Sequence, residues 1–164
     1  MLLGQAQKEM DAAADAVWTD RPNHPRFKIV FVQHLFDVVH SSVSVEVAPD
    51  ASDTYTVRLD PDNYLQATLN KTDISGALAH EACHIKHGDN ASENLAERRE
   101  QERSADQCVG EAGPKYALSR ARNLLGLHEA HIAPDKYHPQ WLESIEAINT
   151  GLKQAKGLTL TIKP

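Results

Sequence analysis

The run His80-Glu81-Ala82-Cys83-His84 has the residue types and spacing that chemistry needs. On a helix, side chains four residues apart lie one above the other on a single face, so His80 and His84 can chelate one ion. Glu81 is rotated by about a quarter turn from His80. From there it can reach a water held by the ion without ligating the ion itself, which is the arrangement of metal-assisted hydrolysis.

Catalytic zinc takes three protein ligands and keeps one position open for water. One route to a third ligand is the pattern His-Glu-x-x-His-x-x-Gly-x-x-His. Here His87 stands where that Gly belongs and Asn90 where the last His belongs, so this route fails. The other route is a Glu on a following helix, with Glu93, Glu97, Glu100 and Glu102 as candidates. A helix that ligates a metal also needs a carboxylate to orient a ligand imidazole. Of the four, only Glu102 is followed four residues on by an Asp, Asp106. Alone, the charge-dense run 93–103 reads as a solvated helix face, with Arg98, Arg99 and Arg103 paired to nearby Glu. Placed 18 residues after His84, Glu102 reads as the third ligand.

His80-Glu81-Ala82-Cys83-His84 followed by Glu102-x-x-Ala105-Asp106 resembles the gluzincin metallopeptidases, and more narrowly the M48 peptidases. The pair His138-Pro139, opening a final helix, and the lead-in 72–79 strengthen the resemblance, which covers roughly residues 60–150. It implies a zincin-like fold and one zinc ion per chain on His80, His84 and Glu102. It also implies Glu81 as general base, Asp106 bonded to a ligand His, and endopeptidase activity. His138 would donate to the oxyanion, with Tyr137 as the other candidate donor. An extended peptide or unfolded protein would pair with an edge strand upstream of the zinc helix, here Tyr64 to Leu69. Family members often carry an Arg six residues after the His of His-Pro, where this chain has Ser144.

The elements that must hold these residues read as one α+β domain spanning 1–164, mainly helical, with a small antiparallel or mixed sheet of three to four strands. Leu3, Ala6, Met10, Ala13, Ala14 and Val17 give a helix over 2–18. The segment 21–25 breaks the chain. Segment 26–40 carries both β-branched residues and a helical stripe (Phe27, Val30, Phe31, His34, Leu35, Val38), and the stripe favours a helix. Strands are expected within 42–69: Val43 to Val47, Tyr55 to Leu59 and Tyr64 to Leu69. Helices follow at about 73–87 (N-cap Thr72 or Asp73, stop at Gly88), 92–109, 114–126 and 139–155. The third of these carries a buried stripe of Ala117, Leu118, Ala121, Leu124 and Leu125. Gly157 to Lys163 reads as a terminal strand.

Composition narrows the function classes. A net charge of −6 disfavours a nucleic-acid partner. No apolar run is long enough for a membrane span, and the start of the chain has no signal-peptide pattern. The compartment stays open between cytoplasm and, for a trimmed mature form, periplasm or secretion. Cys83 and Cys108 read as two buried thiols, a bridge being the other reading. His87 reads as a rim residue, His128 and His131 as loop residues, and His24, His34 and His40 carry no pattern. Two other functions fit the same residues. One is a non-catalytic, zinc-stabilised peptide-binding module. The other is a latent peptidase whose cleft is covered by the 2–18 helix or by the segment from Gly157.

Overall fold

The computed structural model describes residues 2–20, 23–35, 43–46, 48–69, 73–90 and 92–162. Helix α1 (Leu2–Val17) leads into β1 (Arg26–Phe31), β2 (Val43–Val45) and β3 (Thr54–Leu59). Five helices follow: α2 (Pro61–Leu69), α3 (Ser75–His87), α4 (Leu95–Ala112), α5 (Pro114–Glu129) and α6 (Trp141–Lys156). The fold is α+β and mainly helical, with a small mixed sheet in the order β1-β3-β2. β1 runs parallel to β3 and β2 antiparallel to it.

Three expected elements differ. Residues 26–31 form a strand, not the start of a helix. Arg26 and Lys28 are exposed while Phe27 and Ile29 are buried, a period of two. Parallel pairing of Ile29 with Val57 joins this apolar row to that of β3. The Gln7 side chain of α1 accepts from Ile29 N–H and donates to the Phe27 carbonyl, covering the outer edge of β1.

Tyr64 to Leu69 is helix α2, not an edge strand. Asp60-Pro61-Asp62 is a helix start: Asp60 Oδ1 accepts from the N–H groups of Asp62 and Asn63, and proline fits the first turn. The segment from Gly157 forms no strand among the described residues. Leu160 and Ile162 instead pack on the cluster of Ala117, Ala121, Leu124, Ile148 and Leu152. The expectations for Thr72 as N-cap, for residues 36–40, for the strand end at Val47 and for the Arg21-Pro22 break lie outside the described residues.

The larger core gathers α1, the sheet, α3 and α4 around Met10, Val57, Leu78 and Val109. Three glycines allow the helices that carry the site to touch backbone to backbone. A Cβ at Gly76 would strike the Arg120 backbone of α5, one at Gly110 the Ile148 carbonyl of α6, and one at Gly151 the Gln107 carbonyl of α4. Cys83 and Cys108 are disulfide-bonded, 25 residues apart, which overturns the reading as two thiols. The bond staples α3 to α4.

Candidate metal centre

Helix α3 presents its histidines because of how it begins and ends. Ile74, not Asp73, stands at the N-cap, and Asp73 one residue earlier accepts from the Ser75 N–H and hydroxyl. At the end Gly88 adopts φ 69°, and its N–H caps the His84 and Ile85 carbonyls. That reversal carries Asp89 back over the last turn, where its Oδ2 lies 2.8 Å from His84 Nδ1. In α4, Asn94 caps Ala96 and Glu97, and the helix buries Glu102, Ala105, Asp106, Cys108 and Val109 on the face turned to α3. The charged run of α4 faces outward, and Glu102 alone of the four candidate Glu is buried.

The three expected ligands converge. Glu102 Oε2 lies 3.0 Å from His80 Nε2 and 3.5 Å from His84 Nε2, and the two imidazole nitrogens are 3.1 Å apart. All three donor atoms fall within 4.8 Å of one another, so this group could hold a metal ion. Each histidine is backed by a carboxylate. His80 Nδ1 lies 2.8 Å from Asp106 Oδ1, off the line of an ideal hydrogen bond, and His84 is held by Asp89. Asp106 in turn accepts from Arg120 Nε at 2.9 Å and from the Ser144 hydroxyl. Arg120 Nη2 comes within 3.5 Å of His80 Nε2. The carboxylates of Glu81, Asp89, Glu102 and Asp106 surround the two imidazoles, and a divalent cation in place of the imidazole protons would be balanced by them. A mixed set of two imidazoles and one carboxylate, with outer carboxylates on the rings, also matches the donors zinc takes in open sites.

The charges follow from this crowding. Burial opposes ionisation of Glu102, but hydrogen bonds from His138, His80 and His84 prevail and hold it well below its ordinary range. Burial likewise opposes charge on His84, yet the Asp89 and Glu102 carboxylates push it up to about 10. Asp106 is buried too, and Arg120 and His80 keep it ionised. Glu81 behaves differently: its removal from water raises its pKa, with the nearby histidines pulling the other way.

Glu81 stands beside the ligand group. It faces a cavity of about 440 Å³ that His138 also lines. The Glu46 N–H donates inward to Thr56 of β3, so alternation turns the Val45 N–H outward, where it donates to Glu81 Oε2 at 3.0 Å. His138 Nε2 lies 3.3 Å from Glu102 Oε2, and its Nδ1 is 2.7 Å from Asp135. Burial counts against charge on His138, and Glu102 and Asp135 override it, raising the pKa to about 9. Tyr137 is not at the cavity; its ring lies against Arg98 and Lys136. His87 stays outside the ligand group, and His128 and His131 form no metal group among the described residues.

Three site residues escaped the sequence reading. Arg120 interrupts the stripe Ala117-Ala121-Leu124 on α5, and a charge within a buried stripe was its signal. It supplies a guanidinium to Asp106 from another helix, and Ser144 is itself buried against Asp106. Asp135 stands three residues before His138, a spacing that allows a shared turn. Asp89 follows the Gly88 stop directly. Compared with protein-family models, curated proteins and solved structures, the chain matches none.

Proposed function

We propose that this chain is a zinc-dependent endopeptidase of the gluzincin type, carrying one zinc ion on His80, His84 and Glu102. The observation that carries the reading is the meeting of that donor group with a buried, non-ligating carboxylate, Glu81, at the mouth of a cavity. A bound zinc ion supplies a Lewis acid and acidifies water toward neutrality. Glu81 takes the proton from the attacking water and passes it to the leaving amine. Its raised pKa suits both halves of that task. His138, oriented by Asp135 through Nδ1, would turn its Nε2 N–H from Glu102 to the oxygen that gains charge. Asp106, itself fixed by Arg120 and Ser144, orients the His80 ring, and Asp89 orients His84.

The edge strand beside the cleft is β2, whose Val45 N–H already reaches Glu81, so an extended peptide would pair there and not at 64–69. Latency finds no support: no residue of 2–18 or 157–162 lines the cavity. Among the described residues no helix is long and apolar enough to cross a membrane. A helix-to-helix disulfide persists in oxidising surroundings and favours a periplasmic or secreted site over the cytoplasm.

One observation favours a second reading, the binding module. His138 Nε2 lies 3.3 Å from the Glu102 carboxylate, outside the group of three donors, and a shift of its ring toward that group would close the site as a fourth protein ligand. Two measurements separate the readings. The zinc-loaded chain should cleave casein, stop with chelator and resume with added zinc. His138→Ala should keep zinc at one per chain while cleavage falls about 10²–10³-fold, the cost of losing one oxyanion donor. Loss of zinc from that variant, with no cleavage by the wild type, would establish the closed site.

A further inference from the structure

We propose that Arg98, Arg99 and Tyr137 form a clamp between α4 and the loop before α6, and that this clamp positions His138 beside Glu102 for catalysis. The proposal rests on the peptidase reading above and adds positioning residues that lie outside the cavity. Under that reading His138 must offer its Nε2 from one fixed place next to the ligand group. Its own turn fixes the direction of the ring. Asp135 Oδ1 accepts from the Tyr137 N–H at 2.8 Å and from the His138 N–H at 3.1 Å, and it lies 2.7 Å from His138 Nδ1. That network closes residues 135–138 on themselves and sets no distance to α4. The close contacts between α4 and α6, at Gly110 and Gly151, lie about two turns or more into α6. The turn that carries His138 therefore needs a hold of its own on α4.

Arg98 and Arg99 supply it. They stand one turn before Glu102 on α4, at the two places that neighbour it on the helix surface. Arg103 pairs with Glu100 of its own helix, whereas these two arginines reach across to the loop. Arg99 Nε donates to the Lys136 carbonyl at 3.1 Å. The Arg98 guanidinium carbon lies 4.9 Å from the centre of the Tyr137 ring, and Lys136 Nζ lies 4.8 Å from it. A cation within about 6 Å of a ring centre is drawn to the ring face, so two cations hold this ring. Tyr137 and His138 are neighbours in the chain. With Tyr137 seated on Arg98, His138 Nε2 comes within 3.3 Å of Glu102 Oε2. One stretch of α4 thus carries both the third ligand and the seat of the histidine beside it. The contact is made by the ring of Tyr137 and not by its hydroxyl, which separates a clamp from a hydrogen-bond donor.

The test uses two readouts. On a peptide taken from casein, zinc-loaded Tyr137→Ala should lose about tenfold in kcat with KM within about twofold, because a displaced donor costs the transition state more than the ground state. Tyr137→Phe keeps the ring and should retain at least about half of the wild-type kcat. In a His138→Ala background, Tyr137→Ala should cost less than about twofold, since the residue it positions is gone. The second readout needs neither zinc nor activity. The ring proton and nitrogen signals of His138 in the metal-free chain are assigned by their loss in His138→Ala. They should move toward those of an exposed histidine in Tyr137→Ala and in Arg98→Ala, and stay in place in Tyr137→Phe. Unmoved signals in both alanine variants would overturn the proposal, as would a Tyr137→Phe chain as impaired as Tyr137→Ala, or the full cost of Tyr137→Ala persisting in the His138→Ala background. Moved signals without any cleavage by the wild type would leave the clamp on His138 standing and remove the peptidase reading instead.

Discussion

Glu102 is the residue on which the metal centre turns. It is buried, ionised and shared among His80, His84 and His138. Glu102→Ala should lower zinc affinity by more than about 100-fold, beyond the 10–100-fold typical of outer partners, and Asp106→Asn should fall within that range. Chelator competition measures both; full, tight zinc on Glu102→Ala would exclude it as a ligand. His84 gives a second prediction. Its pKa of about 10 means it carries a proton at neutral pH in the metal-free chain. A ligand imidazole must be neutral, so zinc binding at pH 7 should release about one proton or more. Calorimetry of zinc binding in buffers of different ionisation enthalpy counts those protons, and a count of zero would contradict the charge state. The sign also sets the stability of the metal-free chain. A raised histidine stabilises the fold fully below its unfolded value of about 6.5. That contribution is lost as the pH climbs through about 10.

At the scale of elements, α3 and α4 form one unit, bound by the Cys83–Cys108 bridge next to His84 and Asp106. Closing a loop of this length is worth on the order of 3 kcal/mol, and removing it should also loosen the metal group. Cys83→Ala/Cys108→Ala should therefore lower both the thermal midpoint and zinc affinity. An unchanged zinc affinity would mean that packing alone sets the α3–α4 geometry. The helices of this unit were legible because their signals are local: Gly88 as a stop, and apolar residues at helical spacing. The pair Glu102 and Asp106 was legible through one helix's own periodicity. Elements decided by distant partners were not. Segment 26–31 carries two periodicities, and only pairing with β3 selects the strand. In α2 the helix start at Asp60-Pro61 outweighs the alternation that follows it. Arg120 reaches the site because Gly76 lets α5 lie against α3, a contact with no local signature.

For the whole molecule, the account joins a group of three metal-ligating side chains, a base outside that group and a cavity at one end of α3. The net charge of −6 disfavours a nucleic-acid partner. The central claim is that Glu81 acts as general base on water at the metal. The most direct test is casein cleavage by zinc-loaded wild type against zinc-loaded Glu81→Gln, with zinc content measured on both. The account predicts one zinc per chain in each protein and a loss of turnover of about 10²–10⁴-fold in the variant. Equal cleavage by the two proteins, or none by either with zinc in place, would contradict it.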